Sequence, residues 1–482
     1  MSCFKEFAKY TSLNIIGMLS ISCYILADTF FVSVGLGANG LAALNFAIPV
    51  FGFIIGSSLM LGIGGATKYA ILKSQNNMIE ANRVFTHTVF IMTGFIVAFF
   101  TAGLFFSDAI TRIFGTNEEV FPMTQTYLRI ILLFAPIFLV QYLLMCFIRN
   151  DGAPQLSMIA MVSGSFSNIA LDYVFIIMLR MGMFGAALAT GISAVISLII
   201  LCTFFIKKKN NFRLTRCAFA GLKPSQPYWL DFVLASVRSA ALRSRSRSAL
   251  AARVPQLAQN AGDTRRSIRS IFSIGLPSLV AELSVSIVMI VFNIIIWRLQ
   301  GNIGVAAYGI IANISIVLIA IYTGIAHGIQ PIISSNYGSG NTANVKAILR
   351  YALILMATIS IVVYSCVFFG ATQIVAIFNS EQNALLQNIA TSGIKIYFIA
   401  CIFAGFNIIM SAYFTSIEYP RPAHVISILR GFLIIIPMGL LLSAIGGITW
   451  VWCAFPATEL LVAGVGLAAY LIYQKKKQKE LR

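Results

Sequence analysis

Residues 184–206 read FGAALATGISAVISLIILCTFFI, 23 positions without one charged side chain. At 1.5 Å per residue a helix of that length extends about 34 Å, enough to cross a hydrocarbon core of about 30 Å. Apolar stretches of similar length recur on both sides of it, near 12–35, 41–65, 85–107, 127–148, 156–179, 271–298, 305–333, 348–370, 389–415, 423–445 and 448–473. Together they predict twelve spanning helices, numbered 1 to 12 in chain order. The 482-residue chain is 59% hydrophobic and only 10% charged, with a mean hydropathy of +0.89, so it cannot cover a soluble globule with polar surface. The expected fold class is an all-α integral membrane protein.

A net charge of +19 suggests nucleic acid until its placement is read. Outside the central loop, the basic residues fall in alternate loops: Lys5 and Lys9 before span 1; Lys68, Lys73 and Arg83 between spans 2 and 3; Arg149 after span 4; Lys346 and Arg350 after span 8; Arg421 after span 10; Lys475, Lys476, Lys477, Lys479 and Arg482 in the tail. The intervening loops hold few, such as Arg112, Arg180 and Arg298. By the positive-inside rule both termini lie in the cytoplasm, and the expected location is the inner (plasma) membrane. The first apolar stretch is long, contains Asp28 and lacks a small-residue cleavage site, so it reads as a span and not a removable signal. The eight cysteines are scattered without CxxC spacing, which suggests neither a disulfide framework nor zinc.

Sliding the chain against itself by 264 to 266 residues exposes a repeat. Gly37, Gly40, Ala42 and Ala43 meet Gly301, Gly304, Ala306 and Ala307; Gly62-Ile63 meets Gly328-Ile329; Ala81 meets Ala347, Arg129 meets Lys395 and Pro154 meets Pro420. Two six-helix bundles related by a pseudo-two-fold axis along the membrane normal are therefore expected, at residues 1–206 and 271–474, with a basic tail at 475–482. Such repeats usually enclose a central cavity. The connecting loop, 207–270, carries 14 of the 34 basic residues against two acids, Asp231 and Asp263. Leu230, Val233, Leu234, Val237 and Ala241 keep helical spacing within it, which permits a basic amphipathic helix on the anionic inner leaflet. The plainer reading, a solvated loop, is preferred because runs of like charge are usually disordered.

Polar residues inside the spans carry the chemistry. Asp28 lies in span 1, Asn168 and Asp172 in span 5, and Thr190 in span 6. A carboxylate at mid-membrane costs about 3 kcal/mol on insertion scales, so a pair of them implies a function that needs them. Asn168 and Asp172, four apart, share one helix face, and Thr190 can face them from the next helix. Carboxylates, an amide carbonyl and a hydroxyl supply hard oxygens for a small cation such as sodium. Two nearby carboxylates in low dielectric also resist joint ionisation, which invites a proton. The plainer alternative is helix-to-helix hydrogen bonding that serves packing alone.

The stretch Phe147-Ile148-Arg149-Asn150-Asp151-Gly152-Ala153-Pro154, followed by Asn168-Ile169-Ala170-Leu171-Asp172-Tyr173, resembles the multidrug and toxic compound extrusion (MATE) family, bacterial type. Asp28-Thr29-Phe30-Phe31-Val32, Gly328-Ile329-Gln330-Pro331 with Asn336-Tyr337-Gly338, and Pro437, Trp452 and Pro456 support the likeness, which spans both halves and omits the central loop. The resemblance implies a two-bundle exporter that exchanges drugs or other organic, often cationic, solutes for protons or sodium ions. It also implies that Asp28, Asn168, Asp172 and Thr190 form an N-terminal-half cation site. Leu13 departs from the pattern, since the family often has a proline there; its repeat partner is Pro277.

Tyr24, one turn before Asp28, is a candidate for the same cavity, with core packing as the equal alternative. In the second half the repeat places Phe292 and Asn293 at the level of Asp28, so the acid has no counterpart. Glu282 in span 7 and Glu459 in span 12 are the buried acids there, with Arg430 in span 11 able to neutralise one; a substrate-cavity role and a structural pair are both open. His327 reads as a hydrogen-bonded structural residue, and the Gly52/Gly56 and Gly324/Gly328 spacings permit close helix packing.

No Walker lysine motif is present, and three histidines without clustered ligands weigh against a metalloenzyme. The chain is thus expected to be no enzyme, to need no cofactor beyond its coupling ion, and to engage small organic substrates and the bilayer, with neither ATP nor nucleic acid, as a monomer. A cation-coupled exporter is the leading expectation. A lipid-linked oligosaccharide flippase of the same superfamily is the nearest rival, and a non-transporting receptor or scaffold would leave the buried acids unexplained.

Overall fold

The computed structural model describes residues 3–113, 118–215, 247–379 and 382–480. Its described residues form helices, turns and connecting segments without a strand. This is the answer a lipid environment imposes, because a helix satisfies its own backbone hydrogen bonds. Among the described residues ten helices are long and apolar enough to cross a membrane. Two of these, Thr264–Gly338 and Pro420–Lys479, are themselves broken by kinks at Gly301 and at Gly446–Gly447, which makes twelve passes. The first six are Cys3–Gly37, Asn39–Ser74, Met78–Phe105, Phe121–Asn150, Pro154–Met178 and Gly182–Ile206; spans 9 and 10 are Thr342–Phe378 and Ala384–Ser416. Several run a few turns beyond the apolar stretches, since a helix continues into polar chain until something stops it.

The repeat is visible in the backbone. Gly37 (φ 66°, ψ −157°) and Gly301 (φ 58°, ψ −149°) break the chain between spans 1 and 2 and between spans 7 and 8 in the same conformation. Only glycine adopts it without strain. Two hydrophobic cores form, one around spans 1 to 6 and one around spans 7 to 12, and each borrows a residue from the other's first helix. Ile271 of span 7 is buried in the first core and Phe7 of span 1 in the second. The two positions are related by the 264-residue offset, so the exchange is itself pseudo-symmetric.

Close backbone approach fastens this crossing. A Cβ on Gly64 would lie 2.1 Å from the carbonyl oxygen of Ile271, and one on Gly275 would lie 1.8 Å from that of Met60. On the other side, Gly324 and Gly328 would meet the Cα atoms of Ile15 and Thr11, each at 2.7 Å. Gly52 and Gly56 likewise face Ser286 and Leu279 of span 7. Lipid tails are as apolar as leucine, so helices in a bilayer associate through such packing and not through hydrophobic transfer.

The first residues of the connector are not all solvated. Residues after span 6 turn back onto the first bundle, where Phe212 is fully buried among Tyr69, Phe85, Phe147 and Phe205. Asn211 donates its backbone N–H to Asp151 Oδ2 at 2.7 Å, and Thr215 donates to Thr86 Oγ1 at 3.0 Å. The described helix that leads into span 7 already includes Arg247, well before the expected start of that span at 271. The candidate amphipathic segment at 230–241 lies outside the described residues. Span 1, lacking a proline at Leu13, contains no non-helical residue before Gly37.

Candidate functional site

Span 5 is α-helical from Pro154 to Asp172 and then widens into a π-helical segment, Tyr173–Met178. Such widened turns are rare and are frequent at functional sites. Asp172 is the last residue before the change and is 0% exposed, with no hydrogen-bond partner for either carboxylate oxygen. One turn earlier Asn168 is buried with both amide atoms unpartnered, and Asp28 of span 1 is buried with Oδ1 unpartnered. The two carboxylates lie within electrostatic range of each other. Thr190 of span 6 donates to the carbonyl of Ala186 at 3.1 Å, which leaves its oxygen lone pairs available.

Tyr127 of span 4 lies within electrostatic range of both carboxylates and close to Thr190. Tyr24 lies within electrostatic range of Asp28, Asp172, Tyr127 and Tyr142. The structure therefore gathers Asp28, Asn168, Asp172, Thr190 and Tyr24, and it adds Tyr127, which the sequence reading missed. A cavity of about 40 Å³ meets this group at Tyr24 and Thr190, and Gln141, Tyr142, Ser165 and Ser193 also line it, whereas Asp28, Asn168 and Asp172 do not. Gln141 is a second missed residue, and its amide in the middle of an apolar span was the available signal. The cavity has room for water or a small ion; drug-sized ligands need several hundred Å³.

The second half is built differently. Phe292, at the level of Asp28, is buried and stacks on Tyr308 at 5.9 Å, and Tyr308 stacks on Trp452 at 6.3 Å. Arg430, inside a π-helical segment of span 11, holds Glu459 Oε1 through Nη2 at 2.8 Å and Nε at 3.1 Å. Asn407 donates to Glu459 Oε2 at 2.6 Å. This acid is thus paired and hydrogen-bonded where Asp172 is neither. Glu282 does not join them: it is half-buried against Gly52 and Gly56 of span 2, on the side of Tyr142. None of Glu282, Arg430 and Glu459 lines the 40 Å³ cavity.

Comparison with known proteins fits this layout. A family model, MatE, matches residues 14–174 and 277–441, one block in each bundle. The chain belongs to the MATE family. Among MATE relatives, multidrug export protein MepA of Staphylococcus saprophyticus is 24% identical over 474 residues, 98% of this chain and 94% of its own length. MepA of Staphylococcus aureus strain NCTC 8325 is 25% identical over 472 residues, 97% of this chain and 94% of its own. A solved MATE in complex with MaL6 superposes with a TM-score of 0.84 at 24% identity, over 99% of this chain and 98% of that one. An outward-facing multidrug resistance MATE transporter of the MOP superfamily gives 0.83 at 24% identity, over 99% and 97%. At that identity the structural likeness carries the MATE fold, twelve helices in two bundles.

Proposed function

We propose that this MATE protein is a cation-coupled antiporter that exports amphipathic, often cationic organic compounds by alternating access, with both termini in the cytoplasm. The observation that carries the reading is Asp172, a fully buried carboxylate beside a second acid with no donor to either oxygen. A bare carboxylate in such surroundings costs far more than folding can supply, so it takes a proton or holds a cation. Asn168 and Thr190 serve either ion: their oxygens ligate sodium, and Asn168 also hydrogen-bonds a protonated carboxyl. The multidrug export activity named for the MepA relatives supports the substrate class.

The organic solute and the ion need not meet. They need only favour different arrangements of the bundles, which is sufficient for exchange. Purified protein in liposomes, loaded with a fluorescent organic cation and given an imposed proton or sodium gradient, tests the reading. Gradient-driven flux that Asp172→Asn removes supports it; flux that neither gradient drives sinks it.

A further inference from the structure

Two of the stretches that carry the family resemblance, 147–154 and 328–331, touch each other. Gln330 of span 8 is buried, and its amide is used entirely by the opposite bundle. Nε2 donates to Thr67 Oγ1 at 2.7 Å and to Asn150 Oδ1 at 3.2 Å, while Oε1 accepts from Asn150 Nδ2 at 3.1 Å. Beside Thr67, Lys68 Nζ pairs with Glu418 Oε1 at 2.6 Å, again from one bundle to the other. All these residues lie in the half of the membrane that carries the termini, where Gly324 and Gly328 press span 8 on span 1.

One group at the same level works against closure. Arg149, beside Asn150, is 1% exposed. Among the described residues its guanidinium reaches only neutral atoms, Asn14 Oδ1 at 3.1 Å and Cys146 Sγ at 3.8 Å, and its Nε has no partner. Asp151, the nearest acid in sequence, is already held by Lys73 and Tyr69. His327 of span 8 lies within electrostatic range of Arg149 and brings no negative charge. A cation buried without a carboxylate is unfavourable, and separating the bundles on this side would return it to water.

We propose that Gln330, Asn150 and Thr67, with the Lys68–Glu418 pair, form a clasp that holds the termini-side face shut against the buried charge of Arg149. Its release is then the step that opens the interior to that side. The transport role rests on the antiport reading; the clasp itself does not.

Amide hydrogen exchange on the full chain in nanodiscs tests it, read at residues 11–18 and 322–331. Gln330→Leu, Lys68→Glu and Glu418→Lys should each speed exchange in both segments, with Gln330→Leu reaching about tenfold through loss of three buried hydrogen bonds. The double reversal Lys68→Glu with Glu418→Lys should return it toward the starting rate, which separates a broken clasp from a damaged fold. Arg149→Met should slow exchange in the same segments. Unchanged exchange in Gln330→Leu, failure of the double reversal to restore, or faster exchange in Arg149→Met overturns the proposal. A chain that passes these tests yet moves no organic cation would refute the antiport reading and leave the clasp standing.

Discussion

At the scale of single residues, buried charge is handled in two ways in one molecule. Asp172 is left unpaired, whereas Glu459 is held by Arg430 and Asn407. Different consequences of removing each charge follow. Asp172→Asn keeps the shape and hydrogen-bonding capacity of the side chain but cannot change charge, so coupled efflux should vanish while the protein inserts and purifies normally. Asp28→Asn should do the same. Normal gradient-driven flux in both variants would show that the acids serve packing. By contrast, Arg430→Met strands a buried carboxylate, and a loss of about 3–5 kcal/mol is expected. Thermal unfolding in detergent measures it, and Glu459→Gln in the same chain should recover most of the loss. Asp28, Asn168, Asp172 and Thr190 were legible from sequence as polar residues, because a charged or polar side chain stands out in an apolar run. Tyr127 was not legible, since a tyrosine near the end of a span is ordinary until the fold brings it within electrostatic range of two carboxylates.

At the scale of elements, the connector separates into parts of different weight. Phe212 fills an aromatic pocket formed by spans 2, 3, 4 and 6, so Phe212→Ala should destabilise the first bundle by about 3–5 kcal/mol, as large-to-small changes in packed cores do. Removing residues 224–246 should alter stability by less than about 0.5 kcal/mol, because loop-closure entropy depends only logarithmically on length. Transport and melting temperature of the two variants check the contrast. Equal damage from both would mean that the basic stretch has a role of its own. Charge composition described the connector as a loop and could not show that its first residues dock. The docking depends on a pocket whose walls come from residues 69, 85, 147 and 205, brought together by tertiary packing.

At the scale of the whole molecule, a pseudo-symmetric frame carries asymmetric chemistry. Phe7 and Ile271 exchange between cores as repeat partners, yet Asp28 and Phe292, also partners, are an acid and a stacked ring. Ion coupling should therefore belong to the first bundle alone. The ion itself is expected to be a proton, since two neighbouring acids in an apolar bundle disfavour joint ionisation. Efflux should collapse when the proton gradient is dissipated at constant sodium. Persistence under a sodium gradient would instead make Asp28, Asn168, Asp172 and Thr190 a sodium site.

Sequence alone determined the twelve crossings, their pairing into two related halves and the small set of polar residues within them. Those features follow from bilayer thickness and from the cost of charge in hydrocarbon, which act on each segment separately. Which acids stay unpaired, how Phe292 stacks on Tyr308 in place of Asp28, and how Gln330 reaches Asn150 across the bundles were decided only by the tertiary structure. Each depends on side chains far apart in the chain, with Asn150 and Gln330 separated by 180 positions. Their meeting is set by the angle at which glycine-lined helices cross, and no local pattern encodes that angle.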